Sequence, residues 1–359
     1  MPKRLIMCCD GTWNTPDQQN GGRPSPTNVT KTALAIAQRD RLGVEQRVHY
    51  QRGVGTSRWE RLRGGAFGLG LSRDVCNTYR FIVRNFEPGD ELFFFGFSRG
   101  AFTARSTVGF VRNAGILRRH EEDRIDQAYQ LYRSRSAKPR STEARLFRQS
   151  YSFETRIRFI GVWDTVGALG IPLSGLRWVN ALNRRWQFHD TELSPTVDAA
   201  FHALAIDEKR RPFEPALWRP RPDAGDQQLE QVWFAGAHSD VGGGHPQSQL
   251  SDIALSWMVG RAATCGLAFD KDAPTYDPAW ATGPLHESRN GFYRLLPPYT
   301  RPIGVGDPRS EYAASSAVER HKRGEYTPPG LSAYLEGPHR TMQLDPRLGE
   351  VAVPESDVA

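Results

Sequence analysis

Residues 96–100 read Gly-Phe-Ser-Arg-Gly, after the apolar run ELFFF and before AFTARSTVGFVRN, which carries a helical pattern. In a G-x-S-x-G segment a strand turns sharply into a helix with the serine at the apex, and side chains at the flanking positions would collide with neighbouring backbone, so both are glycine. The turn presents the Ser98 hydroxyl at a helix N-terminus. A serine hydroxyl attacks a carbonyl only when a base removes its proton, and that base is usually a histidine oriented by a carboxylate. Asp164 follows an apolar run in RFIGVWDTVG, and His238 and Asp240 follow another in QVWFAGAHSDVGGGH. In a parallel sheet the C-terminal strand ends share one edge, so Ser98, Asp164 and His238 are expected there together, as nucleophile, acid and base of acyl transfer.

Other residues compete for these roles. Asp240 could be the acid, with His286 (in PLHES) or His245 as base, or it could simply bond the glycine turn that follows it. His238 is the better-placed base because it comes straight after an apolar run, whereas His49, His120 and His202 read as surface or core residues. The first apolar run ends in Cys9-Asp10-Gly11-Thr12-Trp13-Asn14. There the backbone N–H groups of Gly11 or Thr12, with that of Arg99, could stabilise an oxyanion, each donor contributing ~3 kcal/mol. Asp10 closing an Asx turn is compatible with this, and Asp10, like Asp240, stands as an alternative acid or a supporting residue. Asp10, Asp164, His238 and Asp240 could instead share a divalent cation. The preferred reading needs neither metal nor cofactor. GGAFGLGL (64–71) lacks the Gly-Lys-Ser/Thr ending of a phosphate loop and the dinucleotide-binding spacing, so close packing or a loop is expected.

Strand-like runs at 5–9, 47–50, 92–96, 157–162 and 232–235 are apolar throughout, as central strands of a mainly parallel sheet covered on both faces should be. Between them, 72–85 places Val75, Tyr79, Ile82 and then Phe86 at helical spacing, with Ser72 as N-cap, and 101–117 and 253–267 read as further helices. The expected architecture is α/β, with helices on both faces, helical insertions and an irregular, Pro/Gly-rich C-terminal region. A charge-rich stretch at 118–150 and a mixed amphipathic stretch at 171–200 are the insertions, either of which could act as lid or cap. One domain over 1–335 with a tail at 336–359 follows.

With 359 residues, Lys plus Arg at 47, Asp plus Glu at 40 and a net charge of +7, the chain is mildly basic, with its arginines dispersed. Peripheral contact with an anionic membrane fits this balance; nucleic acid is not expected. Cys8, Cys9, Cys76 and Cys265 show no metal-ligand or disulfide pattern. No stretch approaches the ~18 apolar residues of a span, and the N-terminus lacks a signal-peptide core, so the chain reads as cytoplasmic as synthesised. Oligomeric state is not legible.

The ordered motifs DGTWN, GFSRGA, GVWDTVG, HALAIDE and HSDVGGG, with HESRNGFYR and SAVERHKRGEYTPPGL later, resemble an α/β-hydrolase family whose members include phospholipase effectors of bacterial type VI secretion systems. The likeness runs from residue 3 to about 331. It implies a serine hydrolase acting on esters, with lipids the best-known substrate class and Ser98 the nucleophile, and it leaves delivery by a secretion system open. The chain is short beside the large effectors, so a stand-alone esterase fits the resemblance equally well. A hydrolase scaffold that binds without catalysis, or a metal-dependent hydrolase, is the alternative.

Overall fold

The computed structural model describes residues 2–11, 14–53, 67–134, 136–166, 192–221, 225–271, 273 and 276–344. Among these, eight strands make one sheet: β1 (Arg4–Cys9), β2 (Gln46–Gln51), β3 (Glu91–Phe97), β4 (Ile157–Trp163), β5 (Val197–Ala205), β6 (Gln228–Phe234), β7 (Glu311–Ala314) and β8 (Thr341–Met342). Their spatial order is β8-β7-β6-β5-β4-β3-β1-β2, and every pairing is parallel. This is the α/β-hydrolase-like class expected from the sequence.

Parallel strands need cover on both faces, and the helices supply it. Among the described residues the α-helices are α1 (Asn28–Ala35), α2 (Phe67–Asn85), α3 (Arg99–Ala114), α4 (Ile125–Arg133), α5 (Thr142–Tyr151), α6 (His238–Gly242), α7 (Gln249–Thr264), α8 (Ser315–Lys322) and α9 (Pro329–Glu336). In β3, Phe93, Phe95 and Phe97 join a core with residues of α1, α6, α7, α8 and α9, while Leu92 and Phe94 join the opposite core with α2, α3, α4 and α5. Each fully buried phenylalanine stabilises by about 1.5–3 kcal/mol, so β3 anchors both layers. Strand order reverses between β1 and β3. At such a switch point the loops at the C-terminal strand ends diverge and leave a crevice, and here those ends are Asp10-Gly11 and Ser98.

Several boundaries differ from the sequence reading. Helix α2 begins at Phe67, so Ser72 lies inside it and accepts from the Tyr129 hydroxyl at 3.0 Å instead of capping. Residues 67–71 of the glycine-rich stretch are therefore helical; 64–66 lie outside the described residues. Strand β5 stands between β4 and β6, so the runs carrying Asp164 and His238 are not neighbours, and residues 197–200 of the expected second insertion belong to β5. Residues 171–191 of that insertion, and 345–359 of the tail, lie outside the described residues. The charge-rich stretch forms a short 3-10 turn (Arg119–Arg124), α4 and α5, with Ile125, Ala128, Leu131, Ala144 and Phe147 turned to the core. No described helix is long and apolar enough to cross a membrane.

Candidate active site

Ser98 joins β3 to α3 with φ 56° and ψ −118°. Space explains why glycines flank it. A Cβ at Gly96 would sit 2.6 Å from the Ala101 Cα, and one at Gly100 would run into the carbonyls of Cys9 and Asp10 at the end of β1. The Ser98 side chain does not cap its own helix. Its N–H donates to the Trp163 carbonyl at 3.1 Å, which hooks the turn to the end of β4.

Asp164 follows Trp163, also with a positive φ, 38°. Among the described non-glycine residues only Ser98 and Asp164 adopt such a backbone, which costs about 1–3 kcal/mol each and clusters at functional sites. The Asp164 carboxylate is fully buried. Its Oδ2 lies 2.5 Å from His238 Nδ1, and its Oδ1 accepts from the Ala205 N–H at 3.1 Å. Arg301, itself buried, donates to both carboxylate oxygens at 2.6 and 3.1 Å, and to the carbonyls of Ala205 and Phe213. Burial alone would raise the Asp164 pKa, but the Arg301 charge, followed by the His238 hydrogen bond, outweighs it and holds the carboxyl well below the usual range.

His238 opens α6 just past β6, and its ring packs between two aromatic residues. Phe97, adjacent to Ser98, lies 4.7 Å away between ring centroids, and Phe213 meets it edge-on at 5.1 Å. The Arg210 guanidinium sits 3.7 Å over the Phe213 ring and pairs with buried Glu208 at 2.7 Å. Asp207 fixes the turn before His238: its N–H donates to the Gly236 carbonyl at 2.9 Å, and its Oδ2 accepts from the Gly236 N–H at 2.7 Å and the Tyr326 hydroxyl at 2.6 Å. With Nδ1 donating to Asp164, the other ring nitrogen of His238 is left as a proton acceptor.

The structure thus brings Asp164 to His238, and the residue beside Ser98 to the His238 ring. Asp240 is elsewhere: its Oδ1 lies 2.5 Å from His286 Nδ1, and His245 stacks on His286 at 3.9 Å. Asp10 accepts from the hydroxyls of Tyr50 (2.5 Å), Thr27 (2.7 Å) and Thr30 (3.1 Å). It also accepts from the Gly11 N–H at 2.6 Å, which closes the turn after β1. Asp10 therefore holds the β1 loop, and since both oxygens of Asp164 carry Arg301, the four-residue cation set considered from sequence does not assemble. Thr12 lies outside the described residues. The Arg99 N–H begins α3, at the helix's positive end, and burial pushes its side chain down to about 10. His202 is a core residue whose Nε2 accepts from the Thr165 N–H at 3.1 Å; burial, then the charge of Arg105, pushes its pKa down to about 3. His49 stacks on Phe81, and His120 is exposed.

Sequence reasoning misses Arg301, Phe213 and Tyr326. The available hint for Asp207 is the HALAIDE motif, and for Tyr326 the GEYTPPG segment; Arg301 sits in a proline-rich stretch with no local signal. A cavity of about 430 Å³ lies along α3, lined among others by Arg105, Val108, Tyr132, Leu193 and Trp218, and it includes neither Ser98 nor His238. With a helical rise of about 1.5 Å per residue, it begins about 10 Å from the serine.

A family model described as the T6SS phospholipase effector Tle1-like catalytic domain matches residues 3–261. The chain is also similar to an uncharacterized protein, YEL023C, of Saccharomyces cerevisiae, at 30% identity over 244 residues covering 61% of this chain and 33% of that protein. Among solved structures it is similar to an uncharacterized protein from Pseudomonas aeruginosa, with a TM-score of 0.45 and 18% identity over 78% of this chain and 47% of that one. The chain spans about a third of the yeast relative and under half of the bacterial one.

Proposed function

This chain belongs to the family of T6SS phospholipase effector Tle1-like catalytic domains, and from that membership we propose that it is a serine hydrolase of carboxylic esters, with phospholipids as the substrate class. The family supports a phospholipase or hydrolase role. The assignment of Ser98 as nucleophile, His238 as base and Asp164 as orienting acid is supported chiefly by one observation: the Asp164–His238 pair, at 2.5 Å, has its imidazole packed on Phe97, the residue before Ser98.

In this reading His238 takes the Ser98 proton as Oγ bonds to the ester carbonyl carbon, and the carbonyl oxygen becomes an oxyanion facing the N-terminus of α3, where the Arg99 N–H is a donor. Collapse of the tetrahedral species breaks the bond to the alcohol, which leaves with the proton from His238. Water then attacks the acyl-serine through the same base, releasing the acid and restoring Ser98. Asp164 stays ionised throughout, and Arg301 keeps it so. The net charge of +7 favours encounter with anionic headgroups at a membrane surface. The cavity along α3 sets Val108, Ile160, Leu193, Val197 and Trp218 beside Arg105, Arg112 and Lys138, and is a candidate space for part of a lipid substrate.

The test is a panel of p-nitrophenyl and phospholipid esters with purified wild type and Ser98→Ala. Turnover by the wild type and none above background by the variant is expected; full turnover by Ser98→Ala would overturn the mechanism.

A further inference from the structure

Beside the Asp164–His238 pair lies a second cluster that the hydrolytic reading leaves unused. Asp240, in the first turn of α6, is nearly inaccessible, with a side chain 1% exposed. Its Oδ2 is committed, accepting from the Ala237 N–H at 2.9 Å and the His286 N–H at 3.1 Å. That leaves Oδ1 directed at two imidazoles, His286 Nδ1 at 2.5 Å and His245 Nε2 at 4.0 Å. Gly243 and Gly244, with φ 84° and 111°, turn the chain after α6 before His245, whose ring stacks on that of His286 with 16° between planes. The three donor atoms lie within 4.8 Å of one another.

We propose that Asp240, His245 and His286 bind one divalent ion of the zinc class, which clasps the loop carrying His286 to the turn that begins with His238. Two imidazole nitrogens and one carboxylate oxygen suit zinc and its neighbours, whereas calcium and magnesium prefer oxygen alone. Zinc bonds of about 2.0–2.1 Å in a tetrahedron place donors about 3.3 Å apart, so His286 would retreat and His245 approach by less than about 1 Å each. The carboxylate is already oriented by backbone donors to its other oxygen, as ligating carboxylates usually are. His245 and His286 side chains are 26% and 27% exposed, so the ion keeps a face for water. Three protein ligands leave a fourth position for water, unlike a closed four-ligand structural centre.

The test uses the full chain freed of metal by a chelator. Calorimetric titration with Zn²⁺ should give one ion per chain, bound at least 100-fold more tightly than Ca²⁺, and saturating Zn²⁺ should raise the melting temperature. His245→Ala and His286→Ala, each checked for native circular dichroism, should each bind Zn²⁺ at least 100-fold more weakly and show no such rise. Absence of Zn²⁺ binding by the folded wild type, Ca²⁺ binding of equal strength, or unchanged Zn²⁺ affinity in either variant would overturn the three-ligand site. None of these readouts depends on hydrolysis, so they stand apart from the assignment of Ser98.

Discussion

Ser98 and Asp164, the two described non-glycine residues with positive φ, are tied by one main-chain bond: the Ser98 N–H donates to the carbonyl of Trp163, the residue before Asp164, at 3.1 Å. The tie continues the parallel register of β3 and β4, in which Phe97 faces Trp163. Two strained backbones at adjacent strand ends persist because sheet packing determines them, and that is where reactive groups are commonly held.

Close packing around the serine turn predicts intolerance of a single methyl group. Gly100→Ala would drive Cβ into the Cys9 and Asp10 carbonyls, which belong to backbone that cannot easily give way. Chemical denaturation should show a loss of at least about 1–3 kcal/mol, accompanied by loss of ester turnover. Wild-type stability in this variant would refute the tight approach of β1 to α3.

Arg301 should matter to stability as much as any core residue. Arg301→Met leaves the Asp164 carboxylate buried with its main counter-charge gone, at a cost of about 3–5 kcal/mol. Adding Asp164→Asn removes the stranded charge and should recover part of that loss in a double-mutant cycle measured by urea unfolding. Strict additivity of the two changes would mean that they do not interact.

The same pair sets a pH dependence. Because the folded pKa of Asp164 is depressed, its contribution to stability is complete above the unfolded value of about 3.9 and is lost as pH falls from there toward the lower folded value. The difference in unfolding free energy between wild type and Asp164→Asn should therefore be flat from about pH 6 to 5 and shrink below about pH 4. A difference independent of pH down to about pH 2 would contradict the ion pair.

Tyr326 braces the turn that presents His238 through its bond to Asp207, whose own pKa is raised by burial. Tyr326→Phe removes one hydrogen bond to a carboxyl and should destabilise by about 1.5–3 kcal/mol by thermal or urea unfolding. Asp207→Ala frees the Gly236 N–H as well and should cost more; the reverse ranking would show that the brace runs through other contacts.

How much of this was legible follows from where each signal resides. The serine turn is local: an apolar strand, two glycines and a helix are contiguous, and DGTWN, GVWDTVG and HSDVGGG mark strand ends the same way. Strand β5, VDAAFHALA, is alanine-rich and so carries weak strand propensity, its place in the sheet being decided by pairing with β4 and β6. Strands β7 and β8, four and two residues long, are too short for a periodic pattern and lie in a Pro/Gly-rich stretch. Arg301 meets Asp164 across 137 residues of chain, and no residue near it in sequence distinguishes it from the many surface arginines. Likewise Asp240 was readable as a partner for His286, but its separation from His238, only two positions away, depends on which way each side chain leaves one short helix.

Reaction of the folded protein with an active-site fluorophosphonate, followed by peptide mass spectrometry, tests the central claim most directly. The account predicts one adduct per chain, on Ser98, formed in parallel with loss of ester turnover and strongly slowed in His238→Ala. Inactivation with the label on another residue, or turnover that persists while Ser98 is fully modified, would contradict it.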